Sequence, residues 1–151
     1  MYTVKRSVAV KLIAMILLVV MLCPVQAFAA ESRASYYLST YGAYVYNAAW
    51  GKVQVWFEVQ GTNVMDEIGS LEIQLYESKD NVNWTWVKTF DYADYSDMLA
   101  YDDYYYGSHV EYSGTIGRYY KAYVCVWAGK DGAGDTRYFW TSSQKATLFA
   151  G

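Results

Sequence analysis

The sequence predicts an all-β domain, an antiparallel β-sandwich of about seven strands, and three observations carry that prediction. Past the first thirty or so residues, apolar side chains recur with period two instead of 3.6. Polar turns rich in Gly, Asp, Asn and Ser punctuate the chain at short intervals. Neither a βαβ alternation nor an internal repeat is present.

Tyr36 to Tyr46 is the opening strand. Between Gly51 and Gly61, Val53, Val55, Phe57 and Val59 fall on one face, and Lys52, Gln54, Trp56, Glu58 and Gln60 on the other, the mark of a half-buried strand. Leu71, Ile73 and Leu75 alternate in the same way with Glu72, Gln74 and Tyr76. Ser78 to Asn83 is a polar turn, and Trp84 to Phe90 resumes the extended pattern. Asp91 to Asp103, acidic and Tyr-rich, reads as a long connection across the sheet with room for one short helical turn at Tyr95 to Leu99. A short strand at Ser108 to Tyr112, the turn Ser113 to Gly117, and the strongest strand, Tyr119 to Ala128, come next. Gly129 to Asp135 is a Gly-rich hairpin loop, and Thr136 onward returns as a final strand towards Leu148.

The N-terminal segment reads as an export signal covering residues 1–29. Lys5, Arg6 and Lys11 precede the apolar run Leu12 to Leu22, and Ala27-Phe28-Ala29 supplies an A-x-A cleavage site. That run is short against the roughly 20 residues a bilayer core requires, and Pro24 interrupts the stretch just beyond it, which disfavours a retained anchor. A lipid-modified Cys23 is disfavoured by the bulky Leu22 before it. Cleavage leaves residues 30–151 as one mature domain, secreted or at the cell surface, with no membrane attachment. Nine basic residues then face 15 acidic ones, a net charge of −6, and such a surface repels nucleic-acid phosphate. Cys23 leaves with the signal, so Cys125 is the one thiol of the mature domain and has no intramolecular disulfide partner. A lone cysteine within an apolar strand reads as packing, with an intermolecular bridge as the alternative.

Two segments carry a resemblance. The strand start Arg118-Tyr119-Tyr120-Lys121-Ala122-Tyr123-Val124, its Gly-rich loop and the last strand Tyr138-Phe139-Trp140-Thr141-Ser142 are similar to the final hairpin of fibronectin type III and immunoglobulin-like domains. Leu75 to Val87, with Glu77-Ser78-Lys79-Asp80 ahead of Trp84, looks like the third strand and adjoining turn of those modules. The resemblance covers about the last 80 residues, lacks the immunoglobulin cysteine pair, and implies an immunoglobulin-like sandwich without implying a function. More broadly, the chain resembles small single-domain exported proteins of Gram-positive bacteria that have no assigned function.

Catalytic and metal chemistry find little footing. His109 is the only histidine, and with Glu111 on its face it reads as a solvent-side residue. Asp91, Asp94, Asp97, Asp102 and Asp103 form a weak candidate calcium loop whose spacing does not match an EF-hand, and a solvated acidic segment explains them as well. No nucleophile-elbow motif is present, and no cofactor is expected. The anomaly is aromatic content: 18 tyrosines, all but Tyr2 in the mature domain, and six tryptophans exceed what a core of this size needs. With Ala122, Val124, Val126 and Ala128 turned inward, Tyr119, Tyr123, Cys125 and Trp127 face outward, joined by Glu72, Gln74 and Tyr76 from a neighbouring strand. Tyr76, Tyr119, Tyr123, Trp127, Glu72 and Gln74 are therefore the expected recognition surface for a protein or carbohydrate partner. The expectation is a non-catalytic binding module. Its alternatives are a self-associating envelope or structural protein, forming a weak homodimer, and, third, a small secreted hydrolase.

Overall fold

The computed structural model describes residues 35–151, and the expected export signal lies outside the described residues. These residues form an all-β antiparallel structure of seven strands: β1 (Leu38–Asn47), β2 (Lys52–Ser78), β3 (Thr85–Asp91), β4 (Leu99–Ser113), β5 (Tyr119–Lys130), β6 (Ala133–Trp140) and β7 (Gln144–Lys145). The all-β antiparallel expectation therefore holds. One 3-10 turn at Ser96–Met98 falls where a short helical turn is expected from the sequence.

The segments read as two strands, Gly51 to Gly61 and Leu71 to Leu75, are one 27-residue strand. Its first half pairs with β1 on one side and β4 on the other, Val45 with Val55 and Val55 with Val110. Its second half pairs with β3 and β5, Ile73 with both Phe90 and Val124, and β5 pairs onward with β6. β2 thus crosses from a three-strand layer, β1–β2–β4, into a four-strand layer, β3–β2–β5–β6, without leaving the hydrogen-bonded sheet. The crossing runs through Gly61 to Gly69, where the pairing register shifts. At Gly69 φ is +149°, and a Cβ would sit 2.1 Å from the Met98 carbonyl oxygen, so only glycine allows that close backbone approach.

Most inward residues are those the alternation selects. Leu71 is the exception, half-buried at the register shift between Ser70 and Glu72, where Ser70 is the buried neighbour. Val53, Val55, Phe57 and Val59 from the first half of β2 join Ile73, Leu75, Ala122, Val124, Val126 and Ala128 in one buried cluster. Tyr41 of β1 meets Phe139 of β6, a strand of the other layer with which β1 has no backbone pairing, at 5.2 Å between ring centroids.

Three boundaries differ from expectation. β4 begins at Leu99, inside the stretch read as a connection, because Met65 to Gly69 of the long β2 offers it a pairing edge. The β5–β6 hairpin closes on two residues, Asp131 (φ 53°) and Gly132 (φ 77°), a turn with two left-handed positions matched to the strand twist. The final strand stops at Trp140, where Thr141 donates its N–H to Ala122 O, and the chain then leaves to form the short β7.

Two polar contacts fasten the ends. Buried Asn47 donates Nδ2 to Thr147 Oγ1 at 2.6 Å and to the Phe149 carbonyl, and its Oδ1 accepts the Thr147 N–H at 3.0 Å. Asp135 Oδ2 accepts from Ser35 Oγ at 2.6 Å and the Tyr37 N–H at 3.0 Å, which ties the start of the described chain to β6. Tyr120, fully buried at the start of β5, accepts the Thr115 N–H at 2.7 Å and donates its hydroxyl to Glu77 Oε2 at 2.9 Å.

Candidate functional site

The outer side of the four-strand layer is a grid fixed by register. Directly paired residues share a face, so Trp86, Tyr76 and Lys121 form one row. Thr89, Gln74, Tyr123 and Trp140 form the next, and Asp91, Glu72, Cys125 and Tyr138 the third. Trp140 is the hub: its ring lies 5.1 Å from Tyr76, edge on, and 4.9 Å from Tyr123, tilted. Tyr123 also stacks on Tyr138 at 5.9 Å and 23°. Lys121 places its ammonium 4.4 Å from the Trp84 ring and 4.3 Å from Trp140, a cation held between two indoles.

Polar groups on this face are interlocked. Tyr76 donates its hydroxyl to Gln74 Oε1 at 3.0 Å, and Gln74 Nε2 donates to Glu72 Oε1 at 2.7 Å. Trp86 Nε1 donates to Thr89 Oγ1 at 3.0 Å. The side chains are ordered by one another, while Trp86, Tyr138 and Trp140 remain 55, 59 and 48% exposed. An aromatic surface held this way loses little rotamer entropy when a partner arrives.

Of the six residues expected on the recognition surface, Tyr76, Tyr123, Glu72 and Gln74 come together. Tyr119 lies at the far end of β5, opposite Lys145, whose ammonium sits 5.3 Å from its ring. Trp127 lies at the other end, its indole laid across Gly129 and Gly134, where an added Cβ would come within 2.5 and 2.3 Å of it. Its Nε1 is buried and finds no partner among the described residues. The expected cluster of Tyr76 and Tyr123 with Trp127 is thus a cluster of Tyr76 and Tyr123 with Trp140.

Cys125 occupies the outward register that alternation assigns it, but it is not open to solvent there. It is only 3% exposed, paired across the strands with Tyr138. Burial pushes its thiol pKa up, and the Tyr138 hydroxyl opposes that only partly.

Sequence reasoning misses Trp84, Trp86, Tyr138 and Trp140 as site residues. The signal for two of them is present in Tyr138-Phe139-Trp140, whose alternation puts Tyr138 and Trp140 on one face. Only the register of β6 against β5 places that face beside Tyr123.

The three-strand layer has its own outward ring row. Tyr44, Trp56 and His109 are cross-strand neighbours, with centroids 6.4 Å apart for Tyr44–Trp56 and 4.3 Å for Trp56–His109, nearly parallel in both cases. Glu111, on the same face as His109, accepts from Lys52 Nζ at 2.7 Å and Gln54 Nε2 at 3.2 Å, which holds its carboxyl below the usual range. His109 and Cys125 therefore lie on different layers and form no pair.

The acidic residues of the candidate calcium loop are dispersed. Asp91 ends β3 and its Oδ1 accepts the Ala93 N–H, Asp97 sits in the 3-10 turn, and Asp102 and Asp103 belong to β4. Among the described residues no three acidic, histidine or cysteine side chains converge as metal ligands.

No known protein family, no curated protein and no solved structure matches this chain.

Proposed function

We propose that this chain is an exported, non-catalytic binding module that engages a protein or glycan partner through the outer face of its four-strand layer. The observation that supports the reading best is the contiguous aromatic surface of Tyr76, Tyr123, Tyr138 and Trp140, ordered around Lys121 and partly open to solvent. Rings with polar tips on a rigid sheet provide apolar contact area and hydrogen-bonding groups together, which suits both the faces of sugar rings and the apolar anchors of a protein partner. Cys125, buried and with its thiol pKa raised, is a poor nucleophile, in keeping with a non-catalytic role.

We infer also that the domain is a sandwich of the fibronectin type III kind. The support is three strands facing four, with β2 and β4 in one layer and β5 and β6 in the other, and the Tyr120 hydroxyl reaching back to the backbone of Thr115 just upstream. Export and cleavage after Ala29 rest on residues 1–29 alone. Retention of the chain inside the producing cell would refute export, and secreted material whose N-terminal sequence begins at Met1 would refute the cleavage.

Glycan-array and pull-down measurements on the full chain, beside Trp140→Ala, test the binding reading. An anchor residue lost from the centre of the face raises Kd by roughly 5- to 30-fold while the melting temperature stays nearly constant. Partner binding undiminished in Trp140→Ala overturns the assignment of this face. Concentration-dependent sedimentation abolished by the same substitution shows the partner to be a second copy of the chain.

A further inference from the structure

A second recognition feature lies at the other end of β5, away from the Trp140 hub. A cleft of about 420 Å³, within the usual range for ligand sites, is lined by Asp66, Glu67, Tyr101, Trp127, Gly129 and Lys130. Register explains its shape. Glu67 pairs with Tyr101 on one side and Gly129 on the other, and Gly129 pairs with Gly134, so one row crosses four strands with Tyr101 and Glu67 at one end and two glycines at the other. The glycines leave the sheet bare there, and the Trp127 indole occupies part of the gap.

The charges in the cleft are unequal. Lys130 directs its ammonium to the Val64 carbonyl at 2.8 Å, and Asp66 accepts the Asp131 N–H at 2.7 Å, which fixes that carboxylate at the wall. Two carboxylates therefore stand against one ammonium that is already engaged with backbone, beside an indole and a phenol ring. Aromatic faces attract cations through their quadrupole, and carboxylates add the counter-charge. The chain uses the same chemistry on itself where Lys121 sits between Trp84 and Trp140. A neutral sugar would gain nothing from the charge imbalance.

We propose that this cleft binds an organic ammonium group, quaternary or methylated, against the rings of Tyr101 and Trp127 with Glu67 as counter-ion. The site is independent of the Tyr76–Trp140 face.

Calorimetric titration of the full chain with choline chloride at low ionic strength tests it, with glucose and sodium chloride as comparison titrants. Saturable choline binding is expected at about millimolar Kd, tighter than any binding of glucose. Tyr101 is 65% exposed and Glu67 is exposed, so both can be replaced without disturbing the core. Tyr101→Ala is expected to weaken choline about tenfold and Glu67→Gln about fivefold, with Trp140→Ala unchanged. The proposal fails if choline does not bind up to about 50 mM, if glucose binds as tightly, or if both cleft variants bind choline as the parent chain does.

Discussion

Replacing Tyr120 with Phe isolates one hydroxyl in an otherwise unchanged core. The ring is fully buried and packs against Tyr112 at 6.1 Å, and Phe retains that packing, so no cavity opens. The substitution removes the bond from the Thr115 N–H and the bond to Glu77. Gly114 wraps the same hydroxyl, with a would-be Cβ only 2.8 Å from it, so water has little room to take its place directly. Glu77 is partly exposed and Thr115 is exposed, so both can turn towards solvent, which puts the cost at about 1–2 kcal/mol instead of the full penalty of two orphaned groups. At about 2.1 cal/mol/K per residue, a domain of this size has an unfolding entropy near 0.25 kcal/mol/K, so the melting temperature is expected to fall by about 4–8 °C.

Urea unfolding gives an independent reading, with a lower midpoint at an unchanged m-value. The same hydroxyl sets a pH dependence. Burial, reinforced by Glu77, raises the Tyr120 pKa above 10.0, against the opposing Thr115 bond. Its contribution is complete below the unfolded value and is lost as pH rises through the folded one, because the unfolded chain releases the proton first. Tyr120→Phe should therefore flatten part of the stability loss above pH 10. A melting shift below about 2 °C would refute the view that this hydroxyl locks the turn before β5.

Three further outcomes are expected. Asn47→Ala removes three bonds that hold the C-terminal segment to β1 and should cost about 2–3 kcal/mol while speeding proteolysis near Thr147; an effect under about 0.5 kcal/mol would contradict that role. Cys125 should react with a thiol reagent only at the rate of global unfolding, and the melt should be the same with and without reductant, so rapid labelling of the native chain would show its cover to be illusory. Asp135, held low first by Ser35 and then by the Tyr37 N–H, contributes stability that is present above its unfolded pKa of about 3.8 and lost as pH falls through the folded value. Asp135→Asn should accordingly reduce the acid-side slope of the urea midpoint, and an unchanged slope below pH 4 would exclude the contribution.

The period-two pattern determined the all-β class and the inward set, because alternation along a strand is a local property and Val53 to Val59 or Ala122 to Ala128 have one apolar face in any register. It also determined that Tyr76 and Tyr123 face outward. Local pattern could not determine that Gly51 to Gly61 and Leu71 to Leu75 are one strand, since the bend between them rests on Gly69 meeting the Met98 backbone 29 residues away. Nor could it choose between Trp127 and Trp140 as the neighbour of Tyr123. Both point outward, and the choice was made by cross-strand pairing of β5 with β6 and by two glycines that draw the Trp127 indole the other way. Direction is written into each strand, whereas adjacency is decided only when strands from distant parts of the chain pair, because register fixes which outward side chains stand side by side.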